Sequence, residues 1–457
     1  MQVWMNVMRD LEALLPEPER LLDAWQEGGV TGLVVGPLQF DADKLLPTVI
    51  RVAGPQPATA AFDPDTEVYR TLGVEAPELP RPEPERRARL KRALDAATER
   101  GIEIRLMYAD TGAGPGGAGH FLWDELTLRS RVARMVDTLQ QFPQAAGALM
   151  DGPEWGYEID ARHMNHRSYI FHDLPDSLRP LCESMDYDFD AMSGARDRLF
   201  ARLHRLTPRQ VALAAGGGLL GALDLLGWDP DLISWLRFRS DSMTQYLRRL
   251  RDLLDRTCNR PVKLSIGPRT PAFGALTGMN LSDLTGIFDE LHPKHYFWHR
   301  GFDGLVGTVY RYVEVLTEWN PTLSDADALT VVELLFGIRF PTAASVRNRS
   351  DLERALSPEF YAEVVSLETT RALAAVEDPA RIVPWVDAGR CPHDGDPIPA
   401  DGLARILDVS ARAGLRRFIY HHQGNLTAGE WVVISERCGR RWDPRASWYQ
   451  PSDQLIL

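Results

Sequence analysis

The stretch Gly147–Ile159, GALMDGPEWGYEI, begins as a buried strand and ends in a cluster of acidic and aromatic side chains. Asp151 follows the apolar run directly, and Glu154 comes three residues later. Acids and rings at the point where a buried strand ends need an explanation. The pattern of the flanking sequence supplies one, because it places this stretch within a repeated strand-and-helix arrangement.

Seven further short apolar runs occur along the chain, and most are followed by segments of helical pattern. In chain order the eight runs are QVWMNVM, TGLVVGPL, IEIRLMYAD, AAGALMDG, RPVKLSIGPR, FDELHPKHYFW, RIVPWVDAG and LRRFIYHH. Strands that alternate with helices imply parallel strands and right-handed crossovers. Eight such units predict an α/β fold, a closed (β/α)8 TIM barrel. A doubly wound open sheet is the competing architecture.

Two segments are too long and too irregular to be simple crossovers. They cover about residues 155–228, after the fourth strand, and about residues 320–379, after the sixth. We interpret both as long insertions, so that residues 1–457 are predicted to form a single (β/α)8 barrel catalytic domain with insertions after strands 4 and 6.

The charge balance and the cysteines restrict the class of protein. A net charge of −13 repels phosphate backbones, so nucleic acid is not an expected partner. The first residues, MQVWMNVMRD, lack a basic and apolar leader pattern. The most apolar run, VALAAGGGLLGALDLLGW, is too short and broken to span a bilayer. Four cysteines without a CxxC pair fit a reducing compartment, so we expect a cytoplasmic protein with no membrane partner; the oligomeric state is left open.

Three carboxyl groups follow predicted strands and form the candidate catalytic set. Residues just past the carboxyl end of a barrel strand face the mouth of the barrel. Asp151 and Glu154 come at the end of predicted strand four, and Asp387 comes at the end of predicted strand seven. Glycoside hydrolysis needs two such groups, one a proton donor with a raised pKa and the other a nucleophile or water-activating base. The structural alternative is that Asp151 caps a helix and Asp387 anchors a loop.

Aromatic and histidine side chains gather at the same strand ends. Flat rings can stack on the apolar faces of pyranose sugars, and histidines can donate hydrogen bonds to hydroxyls. Rings that simply fill the barrel are the alternative. The candidate substrate-binding residues are Trp155, Tyr157, Tyr108, Asp110, His295, Tyr296, Trp298, His299, Trp385, His421 and His422.

The histidines could instead bind a metal together with Asp387. Such a site would be expected to draw ligands from early strands, and QVWMNVM and GLVVGPL supply no histidine or acid. GAGPGG matches GxGxxG at Gly112, Gly114 and Gly117, but a proline interrupts it and no helix begins at once. We interpret it as a mobile loop over the barrel mouth, and expect neither a metal nor another cofactor.

FPQAAGALMDGPEWGYEI resembles the fourth strand of a family of uncharacterised glycoside hydrolases of (β/α)8 TIM-barrel fold. FDPDTEVYRTLGVEAPELP, with ALDAATERGIEI, is similar to the region of that family between strands two and three. In a related clan of retaining glycosidases the acid/base follows strand four and the nucleophile ends strand seven. By position, the resemblance implies Glu154 or Asp151 as acid/base and Asp387 as nucleophile.

The chain departs from that clan at both positions. It has Asp-Gly-Pro-Glu where the clan has an Asn-Glu pair, and an aspartate where the clan has a nucleophilic glutamate. Another barrel group has an aspartate nucleophile on strand four, which implies that role for Asp151 instead.

These features predict a glycoside hydrolase that cleaves a small glycoside or oligosaccharide by a two-carboxylate acid/base mechanism. A metal-dependent TIM-barrel hydrolase or isomerase with His and Asp ligands is the first alternative. A non-catalytic sugar-binding barrel is the second.

Overall fold

The computed structural model describes residues 1–7, 14–36, 38, 62–77, 84–109, 124–162, 169–297, 304–340, 351, 357–386, 400–421 and 423–451. The strands in these ranges are β1 (Gln2–Val7), β2 (Val30–Val35), β3 (Glu103–Ala109), β4 (Gly147–Asp151), β5 (Lys263–Ile266), β6 (Glu290–Leu291), β7 (Lys294–His295), β8 (Trp385–Val386) and β9 (Arg417–Tyr420).

Helices occupy most of the sequence between the strands. Those of six or more residues are α1 (Pro18–Glu27), α2 (Thr66–Thr71), α3 (Pro84–Glu99), α4 (Glu125–Gln141), α5 (Arg179–Ser184), α6 (Phe189–Leu203), α7 (Pro208–Ala214), α8 (Gly218–Leu226), α9 (Pro230–Thr257), α10 (Leu305–Trp319), α11 (Asp325–Phe336), α12 (Ser366–Ala374), α13 (Ala400–Arg412) and α14 (Ala428–Cys438). In the described part of the chain, no helix is both long enough and apolar enough to cross a membrane.

All strands belong to one sheet, in the order β6-β5-β4-β3-β2-β1-β9-β8-β7, and every neighbouring pair is parallel. Each of the eight predicted runs contains a strand to within one residue, and the sixth contains two. That run is divided at His292–Pro293, where the proline has no N–H to continue the ladder. The prediction of an α/β protein with a parallel sheet is confirmed, and the sheet is consistent with a barrel fold.

The two ends of this strand order come from the same short segment. On one side, the His292 N–H donates to the Ile266 carbonyl of β5 at 2.8 Å. On the other, the Val383 N–H donates to the Leu291 carbonyl at 2.9 Å, just before β8. The segment that holds β6 and β7 therefore bonds to both edges of the remaining sheet.

The two faces of the sheet have different surroundings. One packs against the helices in the main hydrophobic core. The other, which we call the inner face, carries a separate buried cluster of Trp4, Val34, Met107, Leu149, Tyr296, Val383, Trp385 and Ile419. Alternate residues of a strand share a face, so Asn6, Asp151 and His421 also belong to the inner face. Lys294 belongs there as well, since it pairs in register with Trp385.

Ion pairs around the buried Glu290 occupy the other end of the inner face, where the strands begin. Arg105 Nη2 donates to Glu290 Oε2 at 2.8 Å, and Arg417 Nη2 donates to Glu290 Oε1 at 2.8 Å. The guanidiniums of Arg105 and Arg417 lie 5.3 and 5.5 Å from the ring centre of Trp4. We call Arg105, Glu290, Arg417 and Trp4 the basal network.

The longest helix, α9, connects the first predicted insertion to the sheet. It begins after Asp229, whose side chain accepts from the Asp231 N–H at 3.0 Å, and Pro230 occupies its first turn. Its buried stripe includes Trp235, Phe238 and Arg239. A buried arginine is unusual in such a stripe, and this one lies beside the segment that follows β4.

Candidate active site

Asp151 ends β4 and forms an ion pair with Lys294. Lys294 Nζ lies 2.8 Å from Asp151 Oδ1, with 22% of the aspartate side chain exposed and 6% of the lysine side chain. Burial opposes ionisation of Asp151, but Lys294 and the nearby Arg269 outweigh it and hold the pKa of Asp151 below its usual value. Asp151 is therefore a reachable anion at neutral pH.

Lys294 is held among rings and charges of both signs. Its ammonium lies 5.8 Å from the ring centre of Trp385. Burial lowers the pKa of Lys294, and the positive Arg269 lowers it further, while Asp151 and Glu154 oppose both effects. The pKa of Lys294 thus lies below its ordinary value, and the two carboxylates limit how far it falls.

Glu154 forms a second pair with Arg269, from the segment after β5. Arg269 Nε donates to both carboxylate oxygens, at 2.9 and 2.8 Å, and Arg269 Nη2 donates to Oε1. The side chain of Glu154 is 18% exposed and that of Arg269 only 4%. Burial lowers the pKa of Arg269, but the Glu154 carboxylate and neighbouring negative groups raise it above its ordinary value. Both oxygens of Glu154 are thus occupied as acceptors.

The chain turns sharply between these two acids. Gly152 has a φ of +88°, a region that residues with a Cβ rarely adopt. Three residues after Gly152, the Trp155 N–H donates to the Thr277 carbonyl at 3.0 Å. Together these features direct Glu154 towards Arg269 rather than along the line of β4.

Three predicted substrate-binding rings come together near Asp151. The ring centres of Tyr296 and His421 are 5.1 Å apart, and those of Trp385 and His421 are 5.7 Å apart. His421 is also close enough to lower the pKa of Asp151 through its charge. The structure therefore gathers Asp151, Tyr296, Trp385 and His421 at the carboxyl end of the inner face.

Three other predicted rings are buried in packing. Trp155 Nε1 donates to the Arg239 carbonyl at 3.1 Å, and Tyr157 stacks on Phe273 with ring centres 5.3 Å apart. Tyr108 belongs to the main core, on the face of the sheet that packs against the helices. Substrate contacts of Trp155, Tyr157 and Tyr108 stay predictions.

His295 lies on the face opposite to Lys294. Its register partner is Val386, and its ring centre is 5.1 Å from that of Phe297. Within the described ranges neither ring nitrogen of His295 has a hydrogen-bond partner, and burial lowers its pKa to about 3. The ring is neutral at neutral pH, and its predicted contact with substrate stays untested.

Several predicted site residues lie outside the described residues, and their roles stay predictions. They are Asp110, Trp298, His299, Asp387 and His422, together with Gly112, Gly114 and Gly117 of the glycine-rich segment. Asp387 directly follows β8 in the sequence.

Sequence reasoning missed Lys294, Arg269 and Asn6. Asn6 is fully buried on the inner face, and among the described residues neither its Oδ1 nor its Nδ2 has a hydrogen-bond partner. Since Met5 pairs in register with Tyr420, Asn6 lies at the level of His421. Strand alternation from Trp4 could have identified Asn6, whereas nothing local to Lys294 or Arg269 indicates which acid each would contact.

The described ranges contain no group of three His, Cys, Asp or Glu side chains placed to hold a metal ion.

No family model matches the chain, and neither does any curated protein. Its structure is similar to the PgaB (BpsB) glycoside hydrolase domain from Bordetella bronchiseptica, at 10% identity with a TM-score of 0.49, over 95% of this chain and 99% of that one. It is also similar to the C-terminal domain of a chitinase from Desulfitobacterium hafniense DCB-2, at 7% identity with a TM-score of 0.39, over 95% and 98% of the two chains.

A third similar structure is a GH5_18 protein from Streptomyces cattleya in complex with Manb1-4GlcNAc. It is 13% identical, with a TM-score of 0.40, over 97% of this chain and 82% of that one. With TM-scores below 0.5, these likenesses carry no inference about the reaction, which depends on the side chains of this chain.

Proposed function

We propose that this chain is a glycoside hydrolase on a (β/α)8 barrel, with Asp151 as its anionic catalytic carboxylate. In this proposal β6 and β7 are two halves of one barrel strand, because their segment bonds to β5 on one side and to the β8 segment on the other. The strands then number eight, and residues 155–228 and 320–379 are the insertions after the fourth and sixth. The single domain over residues 1–457 and the cytoplasmic location belong to the same proposal.

One observation carries the proposed activity. At the carboxyl end of β4, a partly exposed Asp151 is held ionised by a buried lysine. Glycosidic cleavage passes through a transition state with oxocarbenium character, whose positive charge a nearby carboxylate stabilises or attacks. Active sites of barrel enzymes lie at this end of the strands. An ionised Asp151 suits the nucleophile or base and does not suit the proton donor.

The proton donor in this proposal is Asp387. Both oxygens of Glu154 accept hydrogen bonds from Arg269, so Glu154 is engaged without a substrate. Asp387 directly follows β8, whose Trp385 pairs in register with Lys294. This assignment reverses the roles that the family resemblance implies for strands four and seven. Glu154 then keeps Arg269 in place beside Asp151.

The remaining inner-face groups suit a sugar. A hydroxyl both donates and accepts, and Asn6 offers a buried amide with both functions unused within the described structure. The rings of Tyr296, Trp385 and His421 are themselves buried, and in this proposal they form the aromatic wall behind the bound pyranose. We therefore propose a small glycoside or oligosaccharide as substrate, bound with one ring close to Asp151.

A panel of activated aryl glycosides tests the proposal directly. The purified chain should release the aryl group from at least one of them, and the corresponding free sugar should raise the melting temperature. Asp190→Asn, which changes an exposed carboxylate paired with Arg179, is the control that should keep full activity. If no glycoside in a broad panel is cleaved and no sugar alters the melting temperature, the proposal fails.

A further inference from the structure

A fully buried carboxylate from the second insertion holds the segment that carries Arg269. Glu368 lies in α12, and its Oε2 accepts from the Thr270 hydroxyl at 2.7 Å and from the Ala272 N–H at 2.9 Å. Its Oε1 accepts from Arg371 Nη1 at 2.8 Å. Glu368 thus connects α12 to the segment after β5, directly beside Arg269 in the sequence.

The local structure of this segment explains why it needs an outside acceptor. Pro271–Phe273 form a single 3-10 turn, in which Pro271 has no N–H and the Thr270 hydroxyl makes no capping bond. The Phe273 N–H donates to the Thr270 carbonyl at 3.0 Å, and the Ala272 N–H has no acceptor inside the turn. Glu368 accepts from both groups that the turn leaves unused.

The carboxylate of Glu368 is closed off from solvent. The residue is 0% exposed, and its cationic partner Arg371 lies nearer the surface, with 36% of the side chain exposed. A buried carboxylate is costly unless donors surround it. Since two of its three donors belong to residues 270–272, displacement of that segment would leave the buried charge poorly satisfied.

The contacts of Arg269 depend on where this segment lies. Its Nε donates to both oxygens of Glu154, at 2.9 and 2.8 Å, and its guanidinium lies 5.2 Å from the ring centre of Tyr157. Charge-assisted contacts of this kind require a narrow range of geometry. A displaced segment would therefore weaken the pair of Arg269 with Glu154.

The charge of Arg269 also acts on Asp151. Apart from burial, the groups with the largest effect on the ionisation of Asp151 are Lys294, Arg269 and His421, and all three lower its pKa. Lys294 is in β7 and His421 follows β9, so of the three only Arg269 belongs to the segment that Glu368 holds. Glu368 therefore affects the charge balance at Asp151 through the position of Arg269.

We propose that Glu368 is a positioning residue of the candidate active site and acts on Glu154 and Asp151 through Arg269. The inference rests on the proposed function and extends it, because it gives the second insertion a part in the reaction. Glu368 holds the backbone of the segment from one side, and Glu154 holds the guanidinium from the other. Loss of the Glu368 carboxylate should move the guanidinium away from both acids.

A double-mutant cycle separates this role from general support of the fold. Glu368→Ala should lower kcat for an aryl glycoside by roughly 10–100-fold, but by less than about 2-fold in an Arg269→Met background. The acidic limb of kcat/KM should move to higher pH in Glu368→Ala, because the pKa of Asp151 rises when the positive charge moves away. Equal losses in both backgrounds, or an acidic limb that stays in place, would overturn the inference.

Two further variants complete the experiment. Glu368→Gln keeps an oxygen that can accept from Thr270 and Ala272, so it should recover most of the turnover that Glu368→Ala loses. Asp137→Ala removes another fully buried carboxylate, which lies on α4 and accepts from the Asp65 N–H at 3.2 Å. It should lower the melting temperature but leave turnover per folded molecule and the acidic limb unchanged.

A crystal structure tests the inference without reference to turnover. In Glu368→Ala the Arg269 guanidinium should no longer pair with Glu154, and an intact pair would overturn the inference. If the wild-type chain cleaves no glycoside, the proposed function fails, and this structure still decides the role of Glu368. If Glu368→Ala does not fold, Thr270→Val decides, since it removes one of the two bonds to the segment and should cause the same changes to a smaller extent.

Discussion

The two ends of the inner face use the same chemistry for different purposes. At the end where the strands begin, Glu290 accepts from Arg105 and from Arg417, and each of its oxygens has a cationic partner. At the opposite end, Asp151 pairs with Lys294 and Glu154 with Arg269. Both ends thus place carboxylates against buried cations.

The two ends differ in how far solvent reaches the carboxylates and in whether a buried polar group lacks a hydrogen-bond partner. In the basal network the Glu290 side chain is 7% exposed and that of Arg105 is inaccessible, while that of Arg417 is 15% exposed. At the carboxyl end, the side chains of Asp151 and Glu154 are 22% and 18% exposed, whereas those of their partners Lys294 and Arg269 are 6% and 4% exposed. Asn6, on the same face, has no hydrogen-bond partner in the described structure. An ion pair that solvent cannot reach can only support the fold, whereas a reachable anion with a buried counterion can act on a ligand.

The strongest test of this comparison is Asp151→Asn. Turnover of an aryl glycoside should fall by about 10³–10⁴-fold, because the variant loses the negative charge that the proposed mechanism places against the reacting carbon. The far-ultraviolet circular dichroism spectrum should be unchanged. Activity close to wild type would remove Asp151 from the mechanism and make the carboxyl end a second structural network.

Glu290→Gln tests the other end. It should lower the free energy of unfolding by roughly 3 kcal/mol, because the buried Arg105 and the half-buried Arg417 lose their shared counterion, although Arg105 keeps its pair with Glu103. Chemical denaturation measures this loss, and turnover per folded molecule should stay the same. Glu67→Gln, in an exposed pair with Arg70, is the matched control and should leave stability nearly unchanged, because solvent screens that pair. A large loss of turnover in Glu290→Gln would erase the distinction between the two ends.

The dependence of turnover on the leaving group distinguishes the proposed roles of Asp387 and Glu154. Asp387→Asn should slow substrates with poor leaving groups by about 10²-fold or more, and those with good leaving groups far less, because only poor ones require protonation. Glu154→Gln should slow both kinds equally, since its proposed role is to position Arg269. A series of aryl glycosides with graded leaving groups measures the two slopes. The opposite result would make Glu154 the proton donor.

The smallest expected effect is that of Asn6→Ala. Loss of one hydrogen bond to a sugar hydroxyl, about 0.5–1.5 kcal/mol, should raise KM by roughly 2–13-fold and change kcat little. Asn6→Asp keeps an acceptor and should recover part of the affinity. An unchanged KM in Asn6→Ala, with lower stability instead, would assign Asn6 to packing.

Much of the framework could be predicted from the sequence. Every predicted run contains a strand to within one residue, because short apolar runs between amphipathic segments leave few other ways to bury their side chains. The position of Asp151 and Glu154 at the end of β4 follows from the same pattern. The division of the sixth run at Pro293 was not predicted, although the missing N–H of a proline was visible in the sequence.

The pairing of charges could not be predicted in this way. Arg269 and Glu154 are 115 residues apart, and they meet only because β4 and β5 are neighbours in the sheet. Whether Lys294 or His295 faces inward depends on the phase of a two-residue alternation, and a shift of one residue would exchange them.

By itself, the sequence determined which segments become strands and helices and which strand carries the acids, since these depend on local periodicity. Only the tertiary structure decided which cation meets each acid, which rings surround Asp151, and which segment the buried Glu368 holds. Those outcomes depend on contacts between distant segments and on burial, which changes the cost of a charge far more than any local pattern does.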